Sequence, residues 1–285
     1  MNAAELRGVS YVYSKNTPFC KVAVNNIDIS FEEKIVTGII GHTGSGKSTV
    51  SQMLNGLLKP SEGVVLVEDK DIWKEPKKIR NVRFAVGLVF QYPEYQLFEE
   101  TVFADVAFGP RNMGLDEQTV KQRVMDAVAF TGLSEDVLTQ SPFDLSGGQK
   151  RRVAIAGIMA MQPEMLVLDE PAAGLDPSGR AEIFSGIRKY RDITGATVLI
   201  ISHSMEDMAE YCDDIIVMNR GKVMLMGAKD EIFADSDMLI KAGLDIPQIT
   251  RVMRILAENG VAVDPAACTK EQALAQLIAA YKLKS

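Results

Sequence analysis

A glycine-rich run near the start of the chain has the residue types that hold phosphate groups. It comprises Gly41, His42, Thr43, Gly44, Ser45, Gly46, Lys47 and Ser48, with Thr49 next. Glycines let the backbone curl so that successive N–H groups surround phosphate oxygens, and a following helix adds its positive N-terminal end. Lys47 can reach the outer phosphates of a nucleotide, and Ser48 can bind Mg²⁺. Chance produces this spacing in about 1% of chains of this length, so we interpret the run as a nucleotide-binding loop.

A second apolar run, Met165–Leu168, ends in the acidic residues Asp169 and Glu170. A strand here would carry Asp169 to its carboxyl end, where the carboxylate can hold Mg²⁺ directly or through water. Glu170 can polarise an attacking water molecule. Alone, the pattern is as often structural as functional. Together with the phosphate loop it predicts hydrolysis of a nucleoside triphosphate.

His203 follows another apolar run, Val198–Ile201. A lone histidine can be a structural residue whose hydrogen bonds are satisfied within the core. In open α/β sheets, however, ligand-binding groups converge where neighbouring strands end. We therefore expect His203 close to the terminal phosphate.

Five consecutive residues from Leu145 to Gln149 form a second candidate anion site. Ser146, Gly147 and Gly148 precede Gln149 at the start of a predicted helix. The helix N-terminus attracts anions, and the Ser146 hydroxyl adds a donor. One nucleotide does not need two such cradles from one chain, so we expect a dimer in which this motif covers the nucleotide of the other protomer. A flexible linker is the alternative interpretation.

The segments that must position these residues predict an α/β fold. Residues 9–31 show alternating apolar positions typical of a half-buried antiparallel sheet. Continuous apolar runs such as Ile35–Ile40, Ala85–Phe90 and Ile215–Met218 favour a parallel sheet that is covered on both faces. Asp176, Pro177 and Gly195 mark the start and end of one crossover helix.

Two further segments are predicted to be helical. Residues of about 93–160 lack strong strand runs, and we interpret them as a helical subdomain inserted in the α/β core. From about 236 to 285 two apolar stripes recur at helical spacing, and Thr269 with Gln272 forms a capping box. So short a tail must pack on the core or on a partner, and both remain open.

Composition excludes several classes of protein. The chain has 285 residues, 31 Lys and Arg against 38 Asp and Glu, and a formal net charge of −7, which argues against a general nucleic-acid coat. Its apolar runs fall far short of the roughly 20 residues of a membrane span. No basic region followed by an apolar one is visible at the N-terminus, so we expect no secretory signal. Three isolated cysteines indicate reduced thiols.

The motifs together resemble those of ABC-transporter ATPase subunits, in family order from about residue 3 to 235. The matching segments are the Walker A loop 41–48, the Walker B strand 165–169, the signature 145–149, the D-loop 173–176 and the switch histidine His203. The resemblance implies a RecA-like P-loop core with an antiparallel β subdomain, a helical subdomain and a C-terminal helical extension. It makes Glu170 the catalytic base, Gln91 the Q-loop residue that senses Mg²⁺ and the membrane subunit, and Tyr13 the aromatic that stacks on adenine. Tyr11 remains a rival for that last role.

A narrower resemblance points to energy-coupling factor (ECF) transporters. The segment from Gln91 to Val102, followed by Asp105–Pro110, is similar to the Q-loop region of ECF ATPases, and the Thr43-bearing loop favours their A-prime type. The resemblance implies ATP and Mg²⁺ as ligands. Its implied partners are a second ABC ATPase, an integral membrane T subunit and a substrate-binding S subunit. It implies a peripheral position on the cytoplasmic face of the cell membrane, with vitamins or other micronutrients as cargo, and a tail that holds two ATPases together.

Other classes remain as alternatives. The ATPase could serve a dedicated cobalt or nickel importer or another ABC transporter. A soluble ABC ATPase of DNA repair or translation usually carries a long coiled-coil insertion or a second cassette, and this sequence shows neither. We therefore expect no nucleic-acid partner.

Overall fold

The structure, a computed structural model, describes residues 1–282, so the predicted end of the tail at 283–285 lies outside the described residues. The described strands are β1 (Asn2–Tyr13), β2 (Lys21–Glu32), β3 (Val36–Ile40), β4 (Glu62–Val67), β5 (Lys70–Asp71), β6 (Val86–Val89), β7 (Met165–Asp169), β8 (Thr197–Ile201), β9 (Asp214–Asn219) and β10 (Lys222–Ala228). The described helices are α1 (Lys47–Leu54), α2 (Ile79–Ala85), α3 (Val102–Asn112), α4 (Glu117–Phe130), α5 (Gly147–Met159), α6 (Pro177–Thr194), α7 (Met205–Tyr211), α8 (Lys229–Ala234), α9 (Ser236–Lys241), α10 (Gln248–Glu258) and α11 (Lys270–Lys282).

The strands form two sheets, as the two hydrophobic patterns predicted. The larger sheet has the order β10-β9-β3-β8-β7-β6, and its neighbours are parallel except for β10, which runs antiparallel to β9. The smaller sheet, β2-β1-β4-β5, is antiparallel. Every residue of β3, β7 and β8 is buried because both faces of the larger sheet are covered.

The two faces of the larger sheet pack against different layers. Leu166 and Leu168 of β7 belong to a core shared with the helices, whereas Val167 belongs to a core shared with the smaller sheet. This alternation follows from the two-residue period of a strand. Because β3, β7 and β8 are parallel, their carboxyl ends lie together at one edge of the larger sheet.

The predicted helical region between residues 93 and 160 contains α3, α4 and α5. Val120, Val124, Ala127 and Val128 are all buried on one side of α4, as their spacing predicted. Asp116 caps this helix by accepting hydrogen bonds from the backbone N–H groups of the following turn.

Helix α6 begins and ends where the sequence indicated. The Asp176 side chain accepts a hydrogen bond of 2.7 Å from Gly179 N–H, and Pro177 occupies the first helical position. Gly195 ends the helix at a φ of 70°, a left-handed conformation that favours glycine.

The tail forms a small core of its own. Met253 of α10 packs with Ala267 and Ala273, while the other side of the helix pair carries exposed apolar residues. Leu274 of α11 is 60% exposed and Val252 is 47% exposed. Among the described residues, the predicted stripes are thus buried on one side only, and their other side is exposed. The predicted capping box is present, with Thr269 and Gln272 bonded to each other's backbone N–H.

Two acidic side chains, Glu164 and Glu68, lie at the edge of the larger sheet opposite the carboxyl ends of its strands. Glu164 precedes β7, Glu68 follows β4, and both line a cavity of about 530 Å³. The hydrogen bond that Glu164 donates to Glu68, assisted by burial, raises the pKa of Glu164 to about 7. The same bond lowers the pKa of Glu68.

This pair predicts pH-dependent stability. Because the pKa of Glu164 is raised from 4.5 to about 7 on folding, its contribution is full below pH 4.5 and is lost as the pH rises through about 7. Glu164→Gln keeps an N–H donor at every pH. We expect the wild type to lose on the order of 1 kcal/mol of unfolding free energy relative to this variant between about pH 5 and pH 8, since solvent screens an exposed pair.

Denaturant midpoints of both proteins at the two pH values measure this difference. Glu33→Gln, which removes another carboxylate lining the same cavity, is the matched control and should keep the wild-type pH dependence. Equal pH dependence in the wild type and Glu164→Gln would contradict the raised pKa of Glu164.

Candidate active site

A cavity of about 290 Å³ lies at the carboxyl edge of the larger sheet. Its lining consists of Tyr13, Lys21, Ala23, Thr43, Gly44, Gly46, Lys47, Ser48, Thr49, Gln91, Asp169, Glu170 and His203. Residues from six separate parts of the chain meet here. Four of these parts lie at or just after the carboxyl ends of β3, β6, β7 and β8, which are at this edge, and the other two belong to β1 and β2. The structure thereby brings together most of the residues that the sequence singled out.

Glycines determine the backbone shape of the phosphate loop, and Lys47 bonds to carbonyl groups of the same loop. Gly41 and Gly46 have φ values of 152° and 105°, and a β-carbon on Gly41 would collide with the backbone carbonyl of Met218. The Lys47 ammonium donates to the carbonyls of Gly41 at 2.6 Å and His42 at 3.0 Å. Lys47 is 6% exposed. Burial lowers the pKa of Lys47, and the carboxylates of Asp169 and Glu170 oppose that shift.

Oxygen donors suited to Mg²⁺ stand beside this lysine. The Ser48 hydroxyl donates a hydrogen bond of 2.7 Å to Asp169 Oδ2. Burial raises the pKa of Asp169, while Ser48 and Lys47 favour its ionised form. A hydroxyl, a carboxylate and the amide of Gln91 form the hard-oxygen set that Mg²⁺ prefers. These residues fit the ion.

Glu170 is held firmly but has one free oxygen. Its backbone has a φ of 53°, and its N–H donates to Ile201 O at 2.8 Å. Its Oε2 accepts from the Ser202 hydroxyl at 3.3 Å, while Oε1 is buried without a hydrogen-bond partner among residues 1–282 and lies 3.4 Å from His203 Nε2. Burial and then Asp169 raise the pKa of Glu170. A carboxylate with an unused, desolvated oxygen is arranged to accept a proton from water.

The structure gives Tyr13 and Tyr11 different surroundings. Tyr13 lines the cavity, and its hydroxyl lies 3.2 Å from Thr49 Oγ1. Tyr11 instead packs against the core between the two sheets, in edge contact with Tyr13. Of the two rings, that of Tyr13 lines the cavity and that of Tyr11 does not.

The signature motif lies elsewhere on the molecule. Ser146 and Gln149 form a capping box at the start of α5, each side chain bonded to the other's backbone N–H. With Gly148 and the D-loop residues Gly174–Asp176 they line a second cavity of about 550 Å³. Within the described chain the two cavities share no lining residue.

One predicted ligand-binding side chain has a different partner, and two cavity residues were not anticipated. Three residues of the predicted loop are absent from the cavity lining: Gly41, His42 and Ser45. The Nε2–H of His42 donates to the carbonyl of Ala242 at 3.0 Å, in the segment between α9 and α10. Lys21 and Ala23 of β2 line the cavity although they belong to none of the predicted motifs. Residue type alone gave no signal for Lys21, because only the pairing of β1 with β2 places it directly opposite Tyr13.

A buried ion pair joins the Q-loop segment to the helix that starts at the signature. Arg151 of α5 makes two hydrogen bonds to the Glu94 carboxylate, of 2.9 and 3.0 Å. The Arg151 side chain is 4% exposed, and its guanidinium lies over the Tyr92 ring. Paired donors of this kind fix orientation as well as distance.

Comparison with known proteins identifies the family. A family model described as "ABC transporter" matches residues 24–173, which is more than half of the chain. The chain belongs to the ABC transporter family. Its activity is hydrolysis of ATP coupled to transport.

Proteins of the family named "Energy-coupling factor transporter ATP-binding protein EcfA2" match nearly the whole chain. The one from Caldanaerobacter subterraneus subsp. tengcongensis is 51% identical over 94% of each chain, and the one from Clostridium acetobutylicum is 48% identical over 96% of each. These relatives confirm the resemblance to ECF-transporter ATPases.

Solved structures of the family confirm the fold. CbiO1 from Clostridium perfringens, described as part of the ABC transporter complex cbiONQ, has a TM-score of 0.75 and 39% identity, covering 88% of this chain and 98% of its own. The ATP-binding cassette MJ0796, a dimer bound to ADP and Pi in its post-hydrolysis state, has a TM-score of 0.72 and 26% identity, covering 79% and 98%.

Proposed function

We propose that this chain is the A-prime-type ATPase of an ECF importer and that it powers uptake of vitamins or other micronutrients. It pairs with a second ABC ATPase, and the pair drives an integral membrane T subunit together with a substrate-binding S subunit. The observation that carries the proposal is the separation of the two anion-binding cavities. Each chain holds half of two nucleotide sites, so a second ATPase must complete them.

The residues of the first cavity divide the chemistry of hydrolysis between them. Lys47 and the loop amides grip the phosphates while Tyr13 stacks on the base. Ser48, Asp169 and Gln91 hold Mg²⁺, which neutralises charge on the phosphate oxygens when bound. Glu170 accepts the proton of the attacking water through its free oxygen, and His203 orients both this carboxylate and the terminal phosphate.

The site closes when the signature of the second ATPase covers the bound nucleotide. Ser146 and the following glycines of this chain do the same for the nucleotide on the partner ATPase. ATP binds the closed state better than the open one, and hydrolysis removes the charge that favours closure. The half-exposed apolar face of α10 and α11 supports the division into an ABC domain, 1–235, and a dimerisation extension, 236–285.

An apolar groove beside the Q-loop segment supports membrane docking. It has a volume of about 320 Å³, and Phe98 and Phe108 meet edge-on at its rim, 56% and 45% exposed. Exposed apolar patches of this kind mark protein interaction sites. Among residues 1–282 no helix is both long and apolar enough to cross a bilayer, and we propose that docking of this groove on the T subunit holds the chain at the cytoplasmic face of the membrane.

Affinity purification of the tagged chain from detergent-solubilised membranes tests the proposal. We expect mass spectrometry to identify a second ABC ATPase, a T subunit and an S subunit in stoichiometric amounts. Phe98→Glu should lose the membrane subunits and keep nucleotide binding, which separates docking from folding. Recovery of a protein with the paired spans of an exporter, or of the ATPase alone, would contradict the ECF assignment.

A further inference from the structure

Lys21 stands between the two ends of the proposed nucleotide site. It is the first residue of β2 and pairs with Tyr13 across the hairpin. Side chains of directly paired residues project from the same face of a sheet, and both line the cavity. On its other side, the Lys21 ammonium lies 4.0 Å from the position that a β-carbon on Gly44 would occupy. The ammonium therefore bridges the space from the aromatic ring to the phosphate loop.

Among residues 1–282 this ammonium has no competing ion-pair partner. Twelve ion pairs join described residues, and none of them includes Lys21. Its side chain is exposed. Lys47, by contrast, is buried and already bonded to two loop carbonyls. Lys21 is free to turn towards an arriving anion.

The acidic residues of the cavity would repel a nucleotide, and the Lys21 ammonium would reduce that repulsion. The carboxylates of Asp169 and Glu170 line the cavity, and Lys47 offers a single ammonium against them. A nucleoside triphosphate adds several negative charges to this site in a protein of net charge −7. A second ammonium at the cavity mouth offsets this repulsion.

We propose that Lys21 is a nucleotide-binding residue that contacts the phosphates nearest the nucleoside. Its position beside Tyr13 assigns it to the α- and β-phosphate end, while Lys47 lies deeper in the loop, beside Asp169 and Glu170. The inference rests on the proposed use of this cavity for ATP. It adds a residue outside the motifs that the sequence revealed.

Binding of fluorescent ATP and ADP analogues to the purified protein tests this role. At about 0.05 M salt we expect Lys21→Gln to weaken both nucleotides to the same extent, about threefold to fivefold. Lys21→Arg should retain wild-type affinity because it keeps the charge. At about 0.5 M salt the defect of Lys21→Gln should disappear, since screening removes the attraction of an exposed charge.

Lys15→Gln is the matched control. It removes the same charge from an exposed position on the same hairpin, but Lys15 does not line the cavity, so affinity should stay within twofold of the wild type. Equal affinities of Lys21→Gln and Lys15→Gln would overturn the proposal, as would a defect confined to ATP. Wild-type protein that binds neither nucleotide would instead refute the assignment of the cavity.

Discussion

Replacing Glu170 by glutamine should lower steady-state ATP hydrolysis by about 10³-fold, the scale of a positioned general base. Glutamine preserves the shape of the side chain and can keep the contact with Ser202. It removes the basic oxygen at Oε1, which is buried and faces His203. Phosphate release by the assembled ATPase pair at saturating ATP measures the loss.

Nucleotide binding is the internal control for this variant. In the proposed mechanism Glu170 accepts a proton and Lys47 binds the phosphates. Glu170→Gln should therefore bind ATP at least as tightly as the wild type and accumulate as a closed dimer. Size-exclusion chromatography with ATP detects that dimer. Hydrolysis within tenfold of the wild type would show that another group activates the water.

Lys47→Ala should weaken ATP binding by roughly 100-fold. The variant loses two or more charge-assisted hydrogen bonds to phosphate, together worth about 3 kcal/mol. It also leaves Asp169 and Glu170 without the ammonium that opposes the rise of their pKa values. Equilibrium titration with a fluorescent ATP analogue measures the affinity.

The loss at Lys47 should resist salt, since a buried interaction is poorly screened. Lys222→Ala, at an exposed position of β10, provides a control for the change in net charge and should bind ATP like the wild type. Thermal unfolding of each variant checks that the fold is intact. Unchanged affinity of Lys47→Ala would refute the phosphate cradle.

Local patterns explain why so much of this site could be predicted from the sequence. The phosphate loop depends on glycines at fixed positions, and the ends of α6 depend on Asp176, Pro177 and Gly195, all within a few residues of the structure that they specify. The buried strands could be recognised in the sequence as continuous apolar runs because both faces of their sheet are covered. Motifs placed at the ends of such strands must converge at one edge.

Features that depend on long-range packing were not predictable in this way. The His42 side chain meets a carbonyl 200 residues away, and Glu68 meets Glu164 across two sheets. The choice between Tyr13 and Tyr11 depends on irregular pairing of β1 with β2, which shifts register between Val9 and Val12. None of these contacts has a signal in residue type alone.

The ion pair of Glu94 with Arg151 has a mechanical consequence. Its two hydrogen bonds are sheltered from solvent, so they fix both the distance and the orientation of the Q-loop segment relative to α5. In the proposed importer, a displacement of the Q-loop segment by a membrane subunit would therefore also move α5 and the signature motif at its start.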